Sequence, residues 1–382
     1  MNFFRRLLSC LLVVLAFVLV ILLAGNCYGP DKSNRLHELL KLIPADADIT
    51  DSLIIINDYA LCFEDYGISL VELDKQSITF QQFTDLIIEK EIMVAGIGLV
   101  TGSYITGWGR YASQETIRDE SVGYSFTSID AEIQAGTPPH EMVAAIGRFD
   151  PKATSDALAH QNEWPSWAVE VYTTEEYRSV TIHSWGGGFE THLLDRFIPP
   201  HIDMLGRARP LAVTRNYLFY TFSLENIKSM IDASQDKAES LADLPEFAEI
   251  VDKLSSLKVY SVLLGNESLA NGDPGFPENY PGPLLNNFET FGSAFGEDEN
   301  GTFMALVLYH ENHDDAEANA SLLEQRLNST DMMALEIPWT ELITVKNIYA
   351  EGNLLVAKLY TERVSIFQIW VYDYDPILLH EQ

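Results

Sequence analysis

The chain begins with an uncharged apolar run that follows two arginines. Arg5 and Arg6 precede residues 7–24, which are 18 positions without a charged side chain, and the next basic residue is Lys32. A run of this length is at the lower limit for a helix that crosses a hydrocarbon layer, and it is longer than an ordinary signal-peptide core. The positive-inside rule places such an N-terminus in the cytoplasm. The sequence therefore predicts a transmembrane signal anchor with an extracytoplasmic body.

The residues after this run leave its processing open. Leu23, Ala24 and Gly25 suit a signal peptidase, and residues 22–27 resemble a bacterial lipobox in which Asn26 replaces the Gly or Ala expected before Cys27. The segment is therefore retained, cleaved, or cleaved with lipid on Cys27. All three alternatives place the body outside the cytoplasm, in the periplasm or at the cell surface.

Composition narrows the classes of partner. The chain of 382 residues has a formal net charge of −32. Such a negative surface repels phosphate backbones, so nucleic acid is excluded as a partner. The three cysteines exclude a disulfide framework, although one bridge between Cys27 and Cys62 stays open. The expected partners are a membrane, through residues 7–24, and an unidentified protein or glycan. No cofactor is predicted.

The pattern along the body predicts an α+β fold in two related units. We expect an anchor and tether at residues 1–30, a helical region with the first strands at 31–120, and α+β units at 121–257 and 258–382. Each unit has a strand, a helix and paired strands in that order, which is typical of antiparallel-rich, ferredoxin-like layers with helices on one face. Helices are expected over residues 34–43, 52–66, 152–161 and 314–327, and a hairpin is expected to turn at Gly352.

Three stretches resemble parts of uncharacterised exported bacterial proteins of the Chloroflexi type, which carry repeated α+β domains of unknown function. They comprise residues 129–150, residues 240–247 with the sequence SLADLPEF, and residues 369–380. The resemblance implies an exported, membrane-associated protein, and it implies no catalytic residues.

A cluster of histidines and carboxylates allows two interpretations. His310, His313 and Asp314 lie within five positions and could ligate zinc or another divalent ion. The spacing is not that of zincins, which need histidines four apart on one helix. The competing interpretation is that a strand ends at His310 and that Asn312 caps a helix whose first turn is acidic. We favour the cap.

Aromatic side chains supply the other candidate site. Trp164, Trp167 and Trp185 lie in or beside expected loops, where such rings can form a platform for a saccharide or a peptide. His183 and Ser184 are adjacent, but no nucleophile-elbow motif accompanies them. A half-exposed hairpin is the simpler interpretation of that pair.

These patterns favour a membrane-anchored, extracytoplasmic structural or binding protein without catalysis. One alternative is an exported metal-dependent hydrolase that uses His310, His313 and Asp314. The other is a glycan or peptide binder that uses the loop tryptophans.

Overall fold

The computed structural model describes most of the body of the chain. The described residues are 34–76, 78–89, 118–119, 122–137, 140–159, 172–185, 210–270, 282–332, 336–361 and 376–380. Their helices are α1 (Arg35–Leu40), α2 (Ala47–Thr50), α3 (Tyr59–Asp65), α4 (Leu70–Asp74), α5 (Phe80–Glu89), α6 (Pro151–Ala159), α7 (Leu224–Ser234), α8 (Pro245–Ser256), α9 (Glu267–Ala270), α10 (His313–Ser329) and α11 (Trp339–Leu342).

The strands follow the same chain order. They are β1 (Ile54–Asp58), β2 (Arg118–Asp119), β3 (Tyr124–Ser125), β4 (Ile129–Ala135), β5 (Met142–Gly147), β6 (Tyr172–Tyr177), β7 (Val180–Trp185), β8 (Leu211–Val213), β9 (Tyr217–Thr221), β10 (Val259–Asn266), β11 (Thr290–Asp298), β12 (Gly301–Tyr309), β13 (Asp331–Met332), β14 (Ile337–Pro338), β15 (Thr344–Glu351) and β16 (Leu354–Tyr360).

One antiparallel sheet organises the described residues. It has 12 strands in the order β15-β16-β12-β11-β10-β1-β4-β5-β9-β8-β7-β6. Near the middle of the sheet β1 pairs with β10, and Ile54 lies opposite Leu264. The first strand of the described body is thus hydrogen-bonded to a strand from the second half of the chain.

Both faces of this sheet are covered. Ala144 and Ile146 of β5 belong to a buried apolar cluster with α1, α7 and α8, and the alternate residues Val143 and Ala145 belong to a second cluster with α3, α6 and α10. We call these sides of the sheet the α8 face and the α10 face. Burial on both faces explains why β5, β9 and β12 are nearly continuous apolar runs without polar alternation.

The predicted fold class is wrong. The strands expected to form two ferredoxin-like units, each with helices on one face, instead form a single sheet of 12 strands. A strand with one open face alternates apolar and polar residues, whereas all six residues of β5 are buried. The continuous apolar run at residues 142–147 was therefore the signal for a doubly covered sheet.

The predictions of a transmembrane helix and a signal anchor are not supported. From residue 34 onward, across the described ranges, no helix is long and apolar enough to cross a membrane. Residues 7–24 and Cys27, on which these predictions fell, lie outside the described residues.

The connectivity repeats on either side of the central strand pair. From the centre outward, the first half reads β1-β4-β5-β9-β8 and the second half reads β10-β11-β12-β16-β15. In each half, a helix on the α10 face, α6 or α10, separates the third strand from the last two. This order has the symmetry of a two-fold axis perpendicular to the sheet between the antiparallel strands β1 and β10. Among the described strands, the two halves differ at one edge, because β8 carries a further hairpin, β7-β6, on its outer side and β15 does not.

One local expectation also needs correction. Residues 54–58 form β1 and not the first part of a helix, because three consecutive isoleucines favour a strand at the centre of a sheet. Asp243 does not cap α8. Its carboxylate accepts hydrogen bonds of 2.8 Å from the backbone N–H and the hydroxyl of Ser240, and these bonds lower the pKa of Asp243.

Candidate functional site: a groove beside the edge strand β15

The edge strand β15 borders the most open part of the α10 face. It pairs on one side with β16, with a register shift between Val345 and Asn347. Among the described residues no strand pairs with its other side. An edge strand presents unpaired N–H and C=O groups to which another extended segment can hydrogen-bond.

A cavity runs along this edge between α10, α11 and β15. Its volume is about 560 Å³, which falls within the usual range for ligand pockets. Its walls are lined by Glu324, Leu327, Asn328, Trp339, Asn347 and Ile348. The three residues from α10 share one stripe because they lie three and four positions apart. The accessible surface of the cavity is mainly polar, and Ile348 is its partly exposed apolar residue.

Trp339 is the most buried residue of this lining. It is fully buried at the start of α11, and its indole N–H has no hydrogen-bond partner among the described residues. A buried donor without an acceptor costs about 1–3 kcal/mol.

The equivalent place in the other half of the sheet is filled. There β7 pairs with β8, so that His183 lies opposite Leu211, and β6 pairs with β7. The side chains of His183 and Trp185 are buried on the α10 face. Helix α6 contacts this hairpin, since the Ser155 hydroxyl lies 3.4 Å from His183 Nε2. We expect α10 to contact a strand added to β15 in the same way. The β7-β6 hairpin thus shows, within this chain, how a strand fits such an edge.

The side chains of Ser155, His183 and Tyr172 are arranged like a catalytic relay, but packing explains their contacts better. The Tyr172 hydroxyl lies 2.8 Å from His183 Nδ1, and the two rings stack with centroids 6.1 Å apart. Burial lowers the pKa of His183 to about 4. An imidazole with so low a pKa is a weak general base at neutral pH. Ser184, the predicted neighbour, bonds instead to Thr173 across the hairpin, with their hydroxyl oxygens 3.0 Å apart.

The predicted metal residues are held by other partners. His310 is buried, its Nε2 lies 2.8 Å from the Asn319 amide nitrogen, and its Nδ1 lies 3.3 Å from the Asn353 carbonyl. His313 Nδ1 lies 2.7 Å from the Gly352 carbonyl. Asp314 is exposed in the first turn of α10.

Helix capping accounts for the polar residues of this segment. The Asn312 side chain accepts the Asp315 N–H at 3.0 Å, so it caps α10. Across the described ranges, no three His, Cys, Asp or Glu side chains are grouped so that they could hold a metal ion.

Of the three candidate tryptophans, Trp185 lies among the described residues. Trp185 is buried at 4% exposure and contacts Tyr172, with ring centroids 5.4 Å apart. Trp164 and Trp167 lie outside the described residues. Cys62 is buried with a free thiol, and the predicted bridge to Cys27 falls outside the described range.

Sequence reasoning missed the groove. Its residues come from three elements, and only α10 and the β15-β16 hairpin were expected. Pro338 followed by Trp339 was a usable signal, because a proline that ends a short strand before a large aromatic residue often marks a packed corner. The sequence of β15 does not indicate that its outer side is unpaired among the described strands, because this depends on which other strands pair with it.

Comparisons with known proteins identify no family. No family model matches the chain, and no curated protein matches it. Crystal form III of TP0453 is similar at a TM-score of 0.37 and 9% identity, over 86% of this chain and 96% of that one. Crystal form I of TP0453 gives a TM-score of 0.36 and 10% identity, over 87% and 97%. Similarity at this level carries no argument about function.

Proposed function

We propose that this chain is an exported, non-catalytic binding protein that captures an extended polypeptide by strand addition to β15. Export rests on the charge asymmetry around residues 7–24. A non-catalytic role is supported by the two buried histidines, whose nitrogens contact protein partners. The observation that carries the proposal is the contrast between the two halves of the sheet. The outer side of β8 holds a hairpin, and the outer side of β15 borders an open groove.

Strand addition supplies both affinity and a selection rule. Backbone hydrogen bonds to β15 hold any extended segment, and every second side chain of that segment then points toward α10. Ile348, which is partly exposed, offers those side chains apolar contact, and the exposed Asn328 and Asn347 offer hydrogen bonds. A glycan would use the groove residues but not the unpaired strand edge, so a polypeptide fits the site better.

The test uses short peptides and a variant that fills the groove. The probes are a labelled peptide with the sequence of residues 179–185, which is the strand that fills the equivalent place, and a neutral peptide of alternating Thr and Val. We expect saturable binding with a Kd of about 10–100 μM in fluorescence anisotropy, as befits a short segment. Asn328→Trp places a bulky ring on the exposed rim and should weaken binding at least about tenfold, or 1.4 kcal/mol.

A matched control lies on the same helix. Gln325 is exposed on α10 but does not line the cavity, so Gln325→Trp should leave the affinity unchanged. A proline in place of the central isoleucine of the first peptide should also abolish binding, because proline lacks the N–H that a ladder needs. Failure of both peptides to bind, or equal binding by the two tryptophan variants, would overturn the proposal.

A further inference from the structure

The lining of the β15 groove contains one acidic residue. Glu324 lines the cavity from α10 and is exposed. Residues 313–351, which include all of the groove lining, contain eight Asp and Glu but only two Arg and Lys. One of those two basic residues, Arg326, is fully buried and donates hydrogen bonds to backbone carbonyls. Its guanidinium therefore does not face the groove. The other basic residue, Lys346, lies on β15 at the register shift between Val345 and Asn347.

We propose that the segment captured beside β15 is cationic, with Lys or Arg at alternate positions facing α10. This inference rests on the proposed function. Side chains on one face of a strand repeat about every 6.8 Å, which is close to the rise of one and a quarter helical turns. A basic side chain can thus lie near Glu324 while a neighbouring apolar side chain covers Ile348. The overall charge of −32 would add long-range attraction for such a ligand.

Charge also argues against the other occupants of this edge. A second copy of the chain would bring its own Glu324 and its own net charge of −32 to the same place. Like charges placed together at an interface oppose association. An acidic or phosphorylated segment would meet the same repulsion. A basic peptide is the occupant that avoids this charge repulsion.

The experiment compares three labelled peptides of equal length. Each alternates Val with a second residue, which is Lys, Thr or Glu, and each is titrated against the full chain at low salt and at about 0.15 M salt. We expect the Lys peptide to bind at least about tenfold more tightly than the Glu peptide at low salt. The added salt should reduce that advantage, because it screens exposed charges.

Two variants locate the effect. Glu324→Gln should weaken binding of the Lys peptide about threefold to tenfold and leave the Thr peptide unchanged. Glu225→Gln removes the same charge from an exposed position on α7, on the α8 face, and should change neither peptide.

The outcomes separate this inference from the proposed function. Equal binding of all three peptides, each blocked by Asn328→Trp, would overturn the cationic ligand and leave strand addition standing. Binding that ignores Asn328→Trp would overturn both. A dimer in sedimentation that Asn328→Trp converts to monomer would identify a second copy as the occupant and would also overturn the cationic ligand.

Discussion

At the scale of single residues, His183 shows how burial decides chemistry. Its side chain is 2% exposed, with Tyr172 on Nδ1 and Ser155 near Nε2. Removal from water disfavours the charged imidazolium and lowers the pKa to about 4, and the opposing attraction of Glu176 across the hairpin is smaller. The folded chain therefore keeps this imidazole neutral at pH values where an exposed histidine is protonated.

This pKa predicts a loss of stability in mild acid. Between about pH 6.5 and pH 4 the unfolded chain binds more protons at His183 than the folded chain, so the free energy of unfolding falls as the pH is lowered. The full change is roughly 3 kcal/mol for this one group. His183→Gln removes the titration, so the stability difference between wild type and variant should shrink or reverse across this window in urea unfolding.

Tyr172→Phe is the control for this prediction. It removes the hydroxyl beside Nδ1 but leaves the imidazole, so its pH dependence should run parallel to that of the wild type between pH 6.5 and pH 4. If His183→Gln also runs parallel to the wild type, the imidazole does not titrate as its burial implies.

At the scale of elements, α10 ties together segments that are distant in sequence. Arg326 is fully buried, and its guanidinium donates to the carbonyls of Pro283 at 3.0 Å, Ile377 at 2.6 Å and Leu379 at 2.7 Å. About two turns earlier in the helix, the Asn319 amide donates to the Asn286 carbonyl at 2.9 Å. The helix thus holds both the approach to β11 and residues 376–380 against the sheet.

Loss of this guanidinium should cost more than loss of an exposed one. Arg326→Lys keeps the positive charge, but a single ammonium cannot span the three carbonyls, and we expect a loss of about 3 kcal/mol in urea unfolding. Arg178→Lys alters a partly exposed ion pair with Asp232 and should cost less than about 1 kcal/mol. Hydrogen exchange at residues 376–380 should increase only in the Arg326 variant. Similar losses in both variants would show that the three carbonyl contacts contribute little.

At the scale of the whole molecule, helices cover both faces of the sheet, and its two edge strands, β6 and β15, differ. Strand β6 at one edge carries Glu175 and Glu176 on exposed positions, which discourages pairing with a further strand. The other edge of the described sheet, β15, carries Lys346 at its register shift and adjoins a cavity.

Export can be tested independently of any ligand. Residues 1–33 joined to an alkaline phosphatase that is active only after export from a bacterial cytoplasm should give an active fusion. Deletion of residues 7–24 should abolish the activity, because the apolar run is the export signal. Activity that survives the deletion would refute this assignment. The mass of the mature N-terminus then tests whether Cys27 carries lipid.

Much of the local structure could be predicted because its causes lie within a few residues. The Asp150 carboxylate accepts the Lys152 N–H at the start of α6, Asn312 caps α10, and Gly352 adopts a φ of +59° in the β15-β16 turn. Strand β11 was missed because Gly292, Ala294 and Gly296 give it little β-propensity. Its existence depends on the neighbours β10 and β12, which it pairs with along nearly its whole length.

The sequence by itself determined the net charge, the apolar N-terminal run and the starts of some helices, among them α1, α6 and α10, because these follow from composition and from contacts within one or two turns. Only the tertiary structure decided that the strands form one sheet, that β1 pairs with β10, and that β15 is left with an open side. The backbone N–H and C=O groups of one strand edge can hydrogen-bond to those of any other edge. Which strands become neighbours therefore depends on how their side chains pack on both faces of the sheet. The groove lies beside β15, at the edge of the sheet.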